Sequence, residues 1–191
     1  MFFDSSGDVF LTIKDITQAV APDKSVDGLN RTLRQVRHWT QSDLLRPREQ
    51  KNPGKGSPRL YAQDPTIMIS AILLELNRYG ATVDILRPVA DALYTDEEET
   101  GGDVLWMAEN DEANAYLQVV WIEDEQTRKF TGAEINLFHD HGRTAEDEDL
   151  WTDPTSSVVL NLNKIAQRIH PLPWAQEAHD RHMKYILNAH D

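Results

Sequence analysis

Arg31, Arg34, Arg37 and Arg46 stand in one short stretch, "RTLRQVRHWTQSDLLRP", which holds no lysine and a single acid, Asp43. A guanidinium is a planar fork of donors that pairs two-pronged with phosphate, carboxylate or the edge of a guanine. His38 adds a further donor in the same run. The first three arginines recur every three residues, a spacing that keeps them near one another on a helix. Leu29, Leu33, Val36 and then Trp39 or Thr40 recur at steps of three and four, which predicts an apolar stripe on another face. This pattern belongs to a helix that docks by one side and offers cations on the other.

The next segment, "REQKNPGKGSPRLY", carries two glycines and two prolines and reads as a loop. It adds Lys51, Lys55 and Arg59 before closing on a short extended piece at Arg59–Tyr61. Between Gly28 and Arg59 there are 8 basic residues against 2 acidic ones. The whole chain has 191 residues and a formal net charge of -13. Residues 1–91 hold 12 Lys and Arg against 11 Asp and Glu, whereas residues 92–191 hold 7 against 21. Exposed charges are screened beyond about 8–10 Å at physiological salt, so a local basic field survives in an acidic protein.

Other chemistry is poorly represented. The chain has no cysteine, which removes disulfides, thiolate metal sites and a cysteine nucleophile. No phosphate loop, dinucleotide fingerprint or nucleophile elbow occurs, so no enzyme and no cofactor are expected. His139 and His141, and His179 and His182, are pairs without a third ligand at a usable spacing, so no metal is assigned. The acidic run "AEDEDLWTD" does not match a calcium loop. Trp121 and Trp106 on neighbouring strands could line an apolar pocket for an unknown small-molecule effector, although core packing is the commoner role. No apolar run approaches the roughly 20 residues of a membrane helix, and the first residues lack a signal-peptide pattern. A cytoplasmic, nucleoid-associated protein without membrane contact is expected.

The organisation follows from punctuation and period. "LTIKDITQAV" opens with Thr12 as a cap, and Ile13, Ile16 and Val20 share a face. "QDPTIMISAILLELNRYG" reads as a helix with Asp64 as N-cap, Pro65 at its first position and Gly80 at its end. "ATVDILRPVADAL" restarts at Thr82, and Pro88 predicts a kink or a short helix. "YTDEEETGGD" (94–103) reads as an acidic linker between a domain at 1–93 and another at 104–191. Beyond it the period falls to two in "VLWMAE", "AYLQVVWIE", "AEINLFH" and "SSVVLNL", with "ENDEAN" as a hairpin loop. "LNKIAQRI" and "WAQEAHDRHMKYILNAH" read as closing helices. The fold class is therefore α+β: an N-terminal winged helix-turn-helix, then a small α+β domain with three to four antiparallel strands and C-terminal helices.

Over residues 11–93 the chain resembles the MerR family of winged-helix DNA-binding domains. The likeness runs through Val36-Arg37-His38-Trp39, Leu44-Leu45-Arg46-Pro47, Arg59-Leu60-Tyr61 and the helix "ISAILLELNRYGATVDIL". The resemblance implies that Arg34 and Arg37 face DNA from a recognition helix. It puts His38 where an aromatic approaches a phosphate, Arg59 at the wing's backbone contact, and Tyr61 at a packing or phosphate position. Arg31, Arg46, Lys51 and Lys55 complete the expected DNA-binding set. Three departures stand out: Asp43 replaces the family's glycine before Leu44-Leu45, "APDKSVDGLNR" is a longer link between the first two helices, and no long dimerisation helix follows Pro88. The expected function is sequence-specific regulation of transcription on double-stranded DNA. A bacterial or phage homodimer would read an inverted repeat, dimerising or sensing through its acidic half. The alternatives are an excisionase-like architectural factor and a winged-helix protein-interaction module that binds no DNA.

Overall fold

The computed structural model describes residues 2–3, 9–48, 58–95, 115–139 and 156–172. The loop residues Lys51 and Lys55, the "VLWMAE" strand, "ENDEAN", the greater part of the 94–103 linker, His141 and the closing helix with His179 and His182 lie outside those residues. The architecture is mixed α+β, with five helices and two small antiparallel sheets among the described residues.

The first sheet, in the order β1-β2-β3, was not anticipated from the sequence. β1 (Phe2–Phe3) pairs with β2 (Val9–Leu11), which pairs with β3 (Tyr61–Ala62) through Phe10 opposite Ala62 and Leu11 opposite Tyr61. Strands this short leave too few residues for an alternation to be read, and the β2 partner is some fifty residues away.

α1 (Ile13–Val20) follows at once, because Thr12 forms a capping box. Its hydroxyl accepts from the Asp15 N–H, and the Asp15 carboxylate accepts from the Thr12 N–H at 2.8 Å. Two of the helix's orphan donors are thereby satisfied. α2 (Val26–Gln41) begins earlier than the leucine pattern implies. Ser25 caps it, accepting from the Gly28 N–H at 3.1 Å. The link between α1 and α2 therefore shrinks to residues 21–25, and its apparent extra length is the first turn of α2.

α2 ends as a Schellman motif. Leu44 N–H donates to the Trp39 carbonyl at 2.9 Å and Asp43 N–H to the Thr40 carbonyl at 3.4 Å. The residue between must be left-handed, and Asp43 has φ 60. The aspartate thus takes up the left-handed conformation that a glycine would supply. α3 (Gln63–Arg78) ends the same way at Gly80, φ 92, with Ala81 N–H donating to the Leu76 carbonyl. Its start differs from expectation. The N-cap is Ala62 without a side-chain bond, so Asp64 and Pro65 are inside the first turn. A proline is tolerated there because those N–H groups have no intrahelical acceptor.

α4 (Val83–Thr95) runs through Pro88 for 13 residues, rather than staying short. The proline withholds one bond from the Asp84 carbonyl, near the exposed start of the helix, while Leu86, Val89, Ala90 and Leu93 are buried beyond it. Tyr94 and Thr95, expected in the linker, belong to α4.

The second sheet has the order β5-β4-β6, from β4 (Ala115–Glu123), β5 (Phe130–His139) and β6 (Ser157–Asn161). Ala115, Leu117, Val119 and Trp121 alternate toward the core, with Ile135 and Leu137 beside them on β5. Trp121 anchors the sheet to α4, its indole N–H donating to the Ile85 carbonyl at 2.9 Å. α5 (Leu162–Ala166) is shorter than expected and ends before Pro171. One apolar cluster runs from Leu11, Trp39 and Tyr61 through α3 and α4 to Leu117, Leu160 and Ile165.

Candidate nucleic-acid interface

α2 is divided sharply by face. Val36 and Thr40 are fully buried and Trp39 is 1% exposed, whereas Arg31, Arg34, Arg37 and His38 are all exposed. Leu29 and Leu33 are half-buried at the edge. Burial of an indole of this size makes Trp39 a principal anchor; truncating such a core aromatic costs about 3–5 kcal/mol. Two polar contacts fix the rotation of the helix. Thr40 Oγ1 lies 2.9 Å from the Tyr61 hydroxyl, tying α2 to β3. Gln35 Nε2 donates to Asn77 Oδ1 at 2.8 Å, tying α2 to the end of α3, and Asn77 Nδ2 in turn donates to the Ala81 carbonyl at 3.0 Å.

The start of α2 is set by Asp23. Its carboxylate accepts from Ser25 N–H and Ser25 Oγ, both at 2.8 Å. These bonds hold the Asp23 carboxyl below its ordinary range, with a smaller contribution from the Arg31 charge. Asp23 also crowds Gly28: a Cβ there would meet the Asp23 carbonyl oxygen at 2.5 Å and its Cγ at 2.4 Å. Only glycine fits that position of the helix.

The arginines of the expected set separate into two kinds. Arg31, Arg34 and Arg37 make no ion pair with any described carboxylate; the described pairs engage Arg46, Arg78, Arg128 and Arg168. Arg46 pairs with Asp91 of α4, lies over the Tyr94 ring at 4.8 Å, and gives its backbone N–H to the Tyr94 hydroxyl. Its charge is therefore partly neutralised, and it fastens the chain after α2 to α4. Burial pushes the Tyr94 phenol up, and the Arg46 N–H contact works against that rise.

Two residues of the expected loop site lie at its root. Arg48 N–H donates to the Leu60 carbonyl at 3.0 Å, which pairs the two described ends of this segment. Arg59 is half-buried and hydrogen bonds to the Tyr61 side chain. Tyr61 is fully buried, and that burial raises its phenol above the ordinary range. Its hydroxyl faces Thr40, so of the two roles implied for Tyr61, packing is the one the geometry permits. Arg48 was not singled out in the sequence. Its guanidinium lies over the Phe10 ring at 4.7 Å, on the same side of the fold as the loop base. The contact joins β2 to the chain that follows α2, two segments far apart in the sequence.

The chain matches no family model and no curated protein.

The described residues of the acidic half offer less chemistry. Among the described residues no three His, Asp or Glu side chains gather as metal ligands, and no helix is long and apolar enough to cross a membrane. A cavity of about 30 Å³ between α1, α3 and α5 has room for one water, below the few hundred Å³ of a small-molecule site. Trp121 tilts against Phe130 at 6.1 Å and is committed to the α4 contact.

Proposed function

We propose that the protein is a regulator that binds specific double-stranded DNA through α2 and the loop after it, as a MerR-like winged helix-turn-helix would. In this reading residues 1–93 carry the DNA-binding unit, and residues 104–191 dimerise or receive a signal. Two copies read an inverted repeat, with the half-site spacing set by the dimer.

One observation carries the reading. In a chain with 32 Asp and Glu, Arg31, Arg34 and Arg37 are exposed on one helix and have no described carboxylate partner. Exposed guanidiniums that make no described ion pair, with only the charge of Asp23 acting on Arg31, are what a phosphate-lined groove requires. The rigid seating of α2 supports the same reading, because a helix that reads a groove must hold its rotation.

Selection of bound sequences from a random duplex library with the full-length protein tests the proposal. An enriched, two-fold symmetric motif is the expected result. Failure to enrich any sequence would reject DNA reading and favour the protein-interaction alternative. A single asymmetric motif on strongly bent DNA would favour the architectural one.

A further inference from the structure

The exposed arc of α2 has an internal order that assigns separate tasks to its arginines. A helix turns about 100° and rises about 1.5 Å per residue. Arg31 therefore lies about 60° to one side of Arg34, and Arg37 about 60° to the other. Arg31 is also about 4.5 Å nearer the start of the helix, and Arg37 about 4.5 Å nearer its end. Arg34 is thus central in both rotation and height. The buried positions Thr32, Val36 and Trp39 lie about 140–200° away, directly behind it.

The major groove of B-DNA is about 12 Å wide, and a helix with its side chains fills it. The middle of the inserted face meets base edges, and its two margins meet the phosphates of the two strands. We infer that, given the DNA-binding reading above, Arg34 is the residue that specifies sequence and its target is guanine, while Arg31 and Arg37 each grip one phosphate strand. Arginine pairs two-pronged with guanine O6 and N7, and no other base presents two acceptors there. The contacts that fix the rotation of α2, Thr40 with Tyr61 and Gln35 with Asn77, hold Arg34 at the centre. The Asp23–Ser25 cap fixes the axial position of Arg31.

The test uses full-length protein and its Arg31→Ala, Arg34→Ala and Arg37→Ala variants, each compared by library selection and by salt dependence of binding. All three side chains are exposed, so the variants are expected to fold, and circular dichroism checks this. The native protein is expected to select guanine at one fixed position of each half-site. Arg34→Ala should lose that preference by roughly ten- to a hundredfold while still binding DNA. Arg31→Ala and Arg37→Ala should keep the guanine and each lower the slope of log K against log salt by about 0.9. The assignment is overturned if native protein enriches a motif without a fixed guanine, or if Arg34→Ala keeps the guanine while either flanking variant loses it. Absence of any enriched motif overturns the DNA-binding reading itself, which is a separate result from a motif that Arg34 does not control.

Discussion

Replacing Gly28 by alanine sets two well-calibrated effects against each other. Gly28 is in the first turn of α2, where alanine is better than glycine by about 0.8–1.0 kcal/mol on helix propensity. Propensity alone therefore forecasts stabilisation. The structure forecasts the reverse, because the new methyl would lie 2.5 Å from the Asp23 carbonyl oxygen, a backbone atom, and 2.4 Å from Asp23 Cγ. Relieving overpacking of this kind costs about 1–3 kcal/mol. Moving Asp23 also strains its two bonds to Ser25 and the cap that Ser25 provides, worth about 1 kcal/mol. The net is a loss of about 1–3 kcal/mol, which lowers Tm by roughly 2–12 °C in a chain of this size. Thermal unfolding followed by far-ultraviolet circular dichroism reads the effect. Asn30→Ala is the control: the residue is exposed on the same helix, and its substitution should raise Tm slightly. A Tm for Gly28→Ala equal to or above that of the native protein would refute the steric account of the α1–α2 turn.

Three further outcomes follow from the same geometry. Asp43→Gly should be more stable than Asp43→Ala by about 1 kcal/mol in chemical denaturation, since only the backbone at φ 60 separates the two variants. Tyr61→Phe should cost about 1 kcal/mol through the lost hydroxyl contacts to Thr40 and Arg59 yet change DNA affinity no more than Arg59→Ala does, because the hydroxyl is buried; a larger fall in affinity without unfolding would restore a phosphate role for Tyr61. The Asp23 carboxyl is lowered in the folded state, so its contribution is present above the ordinary value of 3.8 and is lost as pH falls through the folded value. Its carboxyl resonance should therefore titrate below 3.8, and one that titrates at or above that value would contradict the Ser25 contacts.

How much of this was legible in the sequence depended on how local each signal is. The face of α2 was readable because Val36 and Trp39 recur at helical spacing and the arginines interleave with them. The Thr12 cap, the Gly80 stop and the alternation in β4 are equally local. The start of α2 was misplaced because Val26, though helical, is exposed and carries no periodic signal. Asp43 looked like a break in the turn, but its short side chain tolerates the left-handed conformation nearly as a glycine does. The first sheet was invisible because Phe10 and Ala62 meet only in the folded chain. The partners of Arg46 were hidden for the same reason. Asp91 and Tyr94 are a helix away in sequence, so only the fold separates this paired arginine from the three on α2.

The salt dependence of DNA binding by full-length protein, native against the double variant Arg31→Ala with Arg37→Ala, is the most direct test of the central claim. Native protein is expected to bind duplex DNA with an affinity that falls steeply with salt, and the double variant to bind more weakly with a slope shallower by about 1.8. Identical affinity and slope for the two proteins, or no binding of duplex DNA by the native chain at low salt, would contradict it.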